Sequence, residues 1–568
     1  MKNVKNINFN KEILFGLTMF LISTIAISQT KDINSLKGLY NETPDHEYVP
    51  VDKSTMERSP AYSVSTPNYF TEQTNIDENG NNIIGDAGNE PSIAVDPTNP
   101  DRIVIGWRQF DNISSNFRQA GNSYSLNGGY EWTNPGVLNP GVFRSDPVLD
   151  FDTDGNLYYN SLQSGFACDV YTISDGGQDW GSPVPANGGD KQWMRIDRSG
   201  GIGDKNNYSY WNSSFTTCNG NFTRSTDESQ SFEDCVTVDG DPIWGTLAVD
   251  SEGTLYTVGQ GGAGFIVTKS TTAKDPGMPV SFDLVSNVDL NGQLDIFPPM
   301  NPQGLMGQAW IDVDVSGSAN DGNIYVLASV QRFSNSDPAD VMFTKSTDGG
   351  INFSAPMRIN TDVSTTNYQW FGTMSVAPNG RIDVVWLDTR DASNTIDSVL
   401  YYTFSEDQGD TWSEEVPISE EFDPSIGYPQ QNKMGDYYDM VSDNDFAHLA
   451  WANTINGGQD VYYSRISPFG ILSNNDVVLN TNNLSSYPNP FKESITIEFE
   501  VMITSETTVE VFDVLGNKVT TLLNDTISGK QKITWNGTSG KGNNVSKGLY
   551  FIAIQSGNDR SIIKVIRE

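Results

Sequence analysis

Histidine and cysteine are nearly missing from this chain of 568 residues, which holds two of the first and three of the second. A histidine-rich zinc site cannot be assembled from that inventory. A Ser-His-Asp triad has only His448 to draw on, because His46 lies in a polar N-terminal stretch. Basic residues are scarce too: 34 Lys and Arg face 72 Asp and Glu, a formal net charge of −38. A surface this acidic repels nucleic acid and anionic membranes and suits solubility outside the cell. Sustained helical periodicity is absent, which points to an all-β chain. Long apolar runs are confined to the N-terminus. There Lys2, Lys5 and Lys11 precede the run from Ile13 to Ile27, and Ala26-Ile27-Ser28 supplies small residues. That pattern reads as a secretory signal peptide over residues 1–28, with no transmembrane segment after it.

What is abundant is turn and aromatic chemistry: 52 Gly, 27 Phe, 23 Tyr and 12 Trp. One turn recurs. Ser346-Thr347-Asp348-Gly349-Gly350-Ile351-Asn352-Phe353 returns in register at Ser405 to Trp412, around Asp407. Looser copies surround Asn127 and Asp175, and a fifth, around Asp227, has lost its glycine. The acid is expected to accept backbone N–H groups within the turn, the glycine to take a conformation closed to side chains, and the aromatic to pack between strands. Between the copies runs a second pattern of two apolar strands, beginning near Asn89, Asp146, Asp190, Asp241, Trp310, Trp370 and Gly435. Two strands, then two more joined by the acid turn, make a four-stranded unit. Self-similarity at this spacing implies a radial β-repeat of seven blades, with six as the alternative.

The turns resemble the Asp-box, or BNR, repeat of the sialidase-like superfamily, Ser-x-Asp-x-Gly-x-x-Trp, with structural acids at Asn127, Asp175, Asp227, Asp348 and Asp407. The blade starts at Asn89-Glu90-Pro91-Ser92, Asp190-Lys191-Gln192-Trp193 and Gly435-Asp436-Tyr437 are similar to those of secreted exo-α-sialidase-like proteins. Near the C-terminus, Tyr487-Pro488-Asn489-Pro490-Phe491, the segment from Val511 to Val519, Gly548-Leu549-Tyr550 and Lys564-Val565 resemble the type A sorting domain of the type IX secretion system. That resemblance implies a Bacteroidetes-type export route, with the type IX machinery as partner and release or attachment at the outer-membrane surface. The implied organisation is a signal peptide (1–28), a polar leader (29–85), a β-propeller (86–470), a linker (471–484) and a small β-sandwich sorting domain (485–568).

Strand starts are where a propeller places its function. Here they offer Glu90, Asp146, Asp190, Asp241, Asp436 and Tyr437 as catalytic candidates, with Lys191, Trp193, Trp310 and Trp370 for binding. Acids beside aromatic platforms suit an extracellular glycan, and two well-spaced carboxylates can hydrolyse a glycoside. The same Asp residues also serve to cap strands, and the same Trp rings to fill a channel wall. True sialidases use three arginines, an Asp, and a Tyr activated by a Glu. The Arg-Ile-Pro tripeptide that carries the first arginine is missing; Arg108, Arg118, Arg144, Arg195 and Arg390 are the substitutes. The expectation is therefore a glycan-recognising protein, with a glycoside hydrolase or polysaccharide lyase as one alternative and a protein-interaction scaffold as another.

Two further readings stay open. Asp150-x-Asp152-x-Asp154-Gly155 resembles the opening of an EF-hand loop, but Ser161 stands where its last glutamate belongs. An inner hairpin turn explains the run, with Ca2+ as the alternative and no metal or cofactor otherwise expected. Cys218 and Cys235 flank the Asp227 turn almost symmetrically, which would pair them and leave Cys168 free; a pairing of Cys168 with either is the rival.

Overall fold

The computed structural model describes residues 44–173, 180–262, 264–469, 484–514, 517–556 and 559–568. The signal peptide, the first part of the leader, the turn at Asp175 and linker residues 471–483 lie outside them. The only helix among the described residues is a single 3-10 turn, Lys53–Thr55, so the architecture is all-β. No helix among them is long and apolar enough to cross a membrane.

Seven antiparallel sheets follow one another along the chain, here numbered I to VII. Their first strands are Ala87–Val95, Ser145–Phe151, Trp193–Ile196, Leu247–Val249, Trp310–Val313, Gln369–Val376 and Asp439–Ser442. Each first strand packs against the first strand of the next sheet, and that of sheet VII packs against that of sheet I. The cycle is closed. Burial declines outward: in sheet VI, Gln369–Val376 and Ile382–Asp388 are wholly buried, whereas in sheet V the last strand, Met357–Arg358, is exposed. The inner strands therefore read as near-continuous apolar runs without polar alternation, because both of their faces meet a neighbouring sheet.

Facing first strands still have backbone edges to satisfy. Side chains do this across the junctions. Asp439 Oδ2 accepts from Ser92 Oγ (2.6 Å) and Ile93 N (3.1 Å), and Ser92 Oγ accepts from Leu149 N (3.0 Å). Asp150 Oδ2 accepts from Ile196 N (2.9 Å), and Thr246 Oγ1 from Ile311 N (3.0 Å). Asp312 Oδ2 accepts from Val376 N (2.7 Å), and Ser375 Oγ from Ser442 N (2.9 Å). Short polar residues inside these apolar strands thus join one sheet to the next.

The repeated turn follows the third strand of its sheet. In the copy at Ser346, the serine Oγ donates to Asp348 Oδ1 (2.9 Å) and accepts from Gly350 N (3.0 Å), while Asp348 Oδ1 accepts from Asn352 N (2.9 Å). The copies at Asn127, Asp227 and Asp407 repeat this pattern bond for bond. The copies at Asn127, Asp348 and Asp407 press against the preceding sheet. Gly129, at φ +90°, lies so close to Tyr463 of sheet VII that a Cβ would sit 2.0 Å from the ring, and Trp132 stacks 5.1 Å from the same ring. Trp412 of sheet VI meets Phe343 of sheet V at 5.3 Å.

The polar leader contributes strands to the fold. Residues 58–83 carry four strands, and Tyr69–Gln73 pairs with Asp460–Ile466 as an outer strand of sheet VII. The ring is closed by chain segments almost four hundred residues apart. Sheet III has three strands, and a disulfide between Cys218 and Cys235 (Cα–Cα 6.2 Å) ties its outer segment, while Cys168 is buried and free.

The C-terminal segment forms its own five-stranded sheet around a core that includes Phe491, Ile497, Val511, Trp535 and Ile554. Where the sequence suggests two strands, Ser494 to Phe499 and Thr508 to Asp513, one strand runs through Ile495–Phe512. Register shifts between Val501 and Ser505 let it bend without breaking, pairing with Lys518–Trp535 along its length and with Gly548–Ser556 at its far end.

Candidate functional site

Each sheet begins with the same backbone anomaly. Glu90, Asp146, Lys191, Trp244 and Phe371 have φ between 45° and 56°, and Gly307 and Gly435 have φ of 140° and 111°. The register shifts by one residue just there, between Asn89 and Ser92, Ser145 and Val148, and Trp370 and Thr373. Positive φ at a non-glycine residue costs about 1 kcal/mol and persists only where the surroundings impose it. Bulges at Glu90 and Asp146, and the positive φ of Lys191, turn these side chains toward a common centre.

At that centre is a buried ionic cluster. Arg108 Nε lies 3.1 Å from Glu90, Lys433 Nζ 3.4 Å from Glu90 and 2.6 Å from Asp436. Lys191 Nζ lies 2.8 Å from Asp436, 3.1 Å from Asp190 and 3.7 Å from Asp146. Asp190 also accepts from Asn212 Nδ2 (3.0 Å), and Asp436 Oδ1 from Leu305 N (2.8 Å). Glu90, Asp436, Arg108 and Lys191 are all at most 2% exposed. Asn301, on the loop after Pro298, seals this end by donating to Gly435 O (2.8 Å) and accepting from Met434 N (2.8 Å).

Four carboxyl groups here face three cations, so one acid must hold a proton for the buried cluster to be neutral. Burial pushes Glu90 up to about 8, against the pull of Arg108 and Lys433. Burial opposes ionisation of Asp436 and Asp146 as well, but Lys191 and its neighbours outweigh it and hold both below the usual carboxylate range. Asp436 also shares a hydrogen bond with Glu90. Glu90 is therefore the acid that keeps its proton.

Of the sequence candidates, the structure thus gathers Glu90, Asp146, Asp190, Lys191 and Asp436, with Tyr437 beside them. The Tyr437 hydroxyl donates to Pro147 O (3.1 Å), and burial raises it well above 10, which opposes a phenolate nucleophile. Trp193 meets Tyr437 at a tilt (5.1 Å) and Trp310 edge-on (5.0 Å), a buried aromatic group beside the cluster. Asp241 lies beside Tyr210 on the turn leading to sheet IV. Trp370 packs against Phe371 (4.6 Å) in the core between sheets VI and VII.

The arginines do not converge as three free guanidinium groups. Arg108 is paired with Glu90, Arg118 with Asp45 (2.7 Å), Arg144 with Asp169 (2.7 Å) and Arg390 with Asp388 and Glu415. Sequence reasoning missed Lys433 and Asn301. Lys433 stands three residues before Asp436, a spacing that is a weak hint on its own.

The opposite end of the ring is open. The last residues of all seven first strands surround a cavity of about 490 Å³. Arg195 stands where Asp150, Asp312 and Ser375 hold the next strand in their own sheets. As a donor it cannot do so; its Nη1 bonds Met194 O (3.1 Å) and its guanidinium lies 5.6 Å from the Trp193 ring. The wall also carries Arg198, Asp312 and Asp443 over the apolar Trp310, Met374 and Met440. Burial raises Asp312. The hairpin acids below serve turns: Asp152 Oδ1 accepts from Asp154 N and Asn156 N (both 2.9 Å). Among the described residues no group of three His, Cys, Asp or Glu is placed to hold a metal ion.

Solved structures with a similar course include a protein of unknown function from Dyadobacter fermentans (12% identity, TM-score 0.40, covering 70% of this chain and 97% of that one). PorZ, a surface component of the type IX secretion system of Porphyromonas gingivalis, matches at 13% identity and TM-score 0.32, over 89% and 69%. A PL25 polysaccharide lyase, an ulvan lyase, matches at 9% identity and TM-score 0.39, over 68% and 94%. Likenesses at these scores assign nothing to this chain. No curated protein matches it. Residues 485–568 match the secretion system C-terminal sorting domain, so the chain ends in a type IX sorting tail and is addressed to the cell surface or beyond.

Proposed function

We propose that this is a secreted or surface-attached seven-bladed propeller of the Asp-box, sialidase-like class, which binds an extracellular glycan in its axial cavity without cleaving it. A signal peptide over residues 1–28 would take it to the periplasm, and the sorting tail onward. Seven sheets in a closed cycle and four turns with one bonding pattern support the class.

The axial cavity carries the functional reading. Its wall combines carboxylates and guanidinium groups for hydroxyl recognition with an apolar floor for the sugar face, within the size range of small-ligand sites. The ionic cluster at the other end is sealed, and each of its cations already faces a carboxylate. A glycan array probed with the purified chain tests this. Binding that is lost on Arg195→Gln, and on Val249→Trp, which fills the cavity, supports it; binding indifferent to both refutes the location.

A further inference from the structure

The face that carries the ionic cluster is crossed by residues 44–50, a segment with no secondary structure in which every residue is exposed. Among the described residues it makes no main-chain pairing with a strand. Side chains of the loop between the second and third strands of sheet I hold it instead. Asn116, fully buried, uses both ends of its amide: Nδ2 donates to Pro44 O (2.9 Å) and Oδ1 accepts from His46 N (2.7 Å). These bonds bracket Asp45, whose carboxylate meets Arg118 Nη1 at 2.7 Å. Three residues on, the Tyr48 ring packs at a tilt against Phe117, 5.2 Å away.

The receiving groups have contacts of their own, independent of the segment. Arg118 Nε donates to Ser145 Oγ (3.1 Å), Nη1 donates to Asn116 O (3.2 Å), and its plane lies 4.6 Å from the Phe143 ring. Phe143 in turn meets Phe117 edge-on at 5.9 Å. A guanidinium that is only 5% exposed needs an anion, and a buried amide needs two backbone partners. The segment supplies both. A cavity of about 450 Å³ lies between His46–Val49 and Asp111–Phe117, so the fit leaves room beside the segment.

We infer that Asn116, Phe117 and Arg118 form a recognition site for an extended acidic peptide of the pattern Asp-x-x-Tyr, which the protein's own residues 45–48 occupy in cis. The amide reads the backbone on either side of the acid, the guanidinium reads the acid, and the aromatic pair reads the ring three positions later. An intramolecular occupant has the advantage of tethering, so a peptide from another molecule gains access once the exposed segment is cut or displaced.

A fluorescent synthetic peptide covering residues 44–50 tests this by fluorescence polarisation against three proteins. These are the intact chain, a chain lacking residues 29–50, and the full-length double variant Asp45→Asn, Tyr48→Ser. The inference expects no binding to the intact chain and saturable binding to the other two. It also expects at least tenfold weaker binding when the peptide carries asparagine for its aspartate, or the shortened chain carries Arg118→Gln. Failure of both the shortened and the double-variant proteins to bind, while their thermal transitions match the intact chain, overturns it. So does equal affinity for the aspartate and asparagine peptides. Should the shortened chain lose its native transition, the full-length double variant decides alone.

Discussion

Replacing Glu90 by glutamine tests the ionic cluster through the pH dependence of stability. Glu90 goes from an ordinary glutamate near 4.5 in the unfolded chain to about 8 in the folded one, because burial outweighs Arg108 and Lys433. Between those values the folded state holds a proton that the unfolded state has released. The stability this contributes is therefore fully present below 4.5 and is lost as pH rises through 8. The slope is at most about 1.4 kcal/mol per pH unit, so from about pH 5 to about pH 8 the wild type loses roughly 4 kcal/mol through this one group. Glutamine has nearly the same shape, can still donate to Asp436, and does not titrate. Urea unfolding followed by tryptophan fluorescence is the assay, with Trp193, 5.1 Å from Tyr437, as a local reporter. The unfolding free energy of Glu90→Gln minus that of wild type should rise by about 3–4 kcal/mol over this interval. Parallel stability curves would refute the assignment of the proton to Glu90.

Three other outcomes follow from the packing. Gly129→Ala and Gly136→Ala form a matched pair, with φ of 90° and 97°, but only the first meets a ring, at 2.0 Å; the second has nothing within 4 Å. Thermal unfolding should show a loss of about 1 kcal/mol for Gly136→Ala and about 3 kcal/mol or more for Gly129→Ala. Asp439→Ala leaves Ser92 Oγ and Ile93 N without their acceptor at the junction of sheets VII and I, and should cost about 2–4 kcal/mol by urea unfolding. Unchanged midpoints would mean the junction is held by packing alone. The self-peptide at Asn116 and Arg118 is tested by the polarisation experiment described with it.

The architecture was legible where the sequence repeats itself. The Ser–Asp turns and the paired apolar runs locate six of the seven first strands to within a few residues, and the glycines and aromatics of the turns are where neighbouring sheets press together. The strand Tyr69–Gln73 was not legible, since five residues of mixed polarity carry little periodicity and their partner, Asp460–Ile466, lies far along the chain. The continuous strand Ile495–Phe512 reads as two in the sequence because the stretch Thr504-Ser505-Glu506-Thr507 is polar. At the ionic cluster, the strand starts pointed to Glu90, Asp146, Asp190, Lys191 and Asp436. Their tight mutual pairing was hidden, because Lys433 and Asn301 come from loops without any repeating pattern. The wedge of Arg195 into the axial cavity emerges only against its counterparts. Where Asp150, Asp312 and Ser375 accept a neighbour's N–H, an arginine cannot, and its head is left to the cavity.

Binding without cleavage in the axial cavity is decided by one titration. The purified chain is titrated calorimetrically with the best array ligand while the same sample is assayed for new reducing ends. A saturable heat that Arg195→Gln weakens at least tenfold is expected, with no sugar released over hours. Release of sugar that disappears in Asp436→Asn, or binding that survives both Arg195→Gln and Val249→Trp, would contradict it.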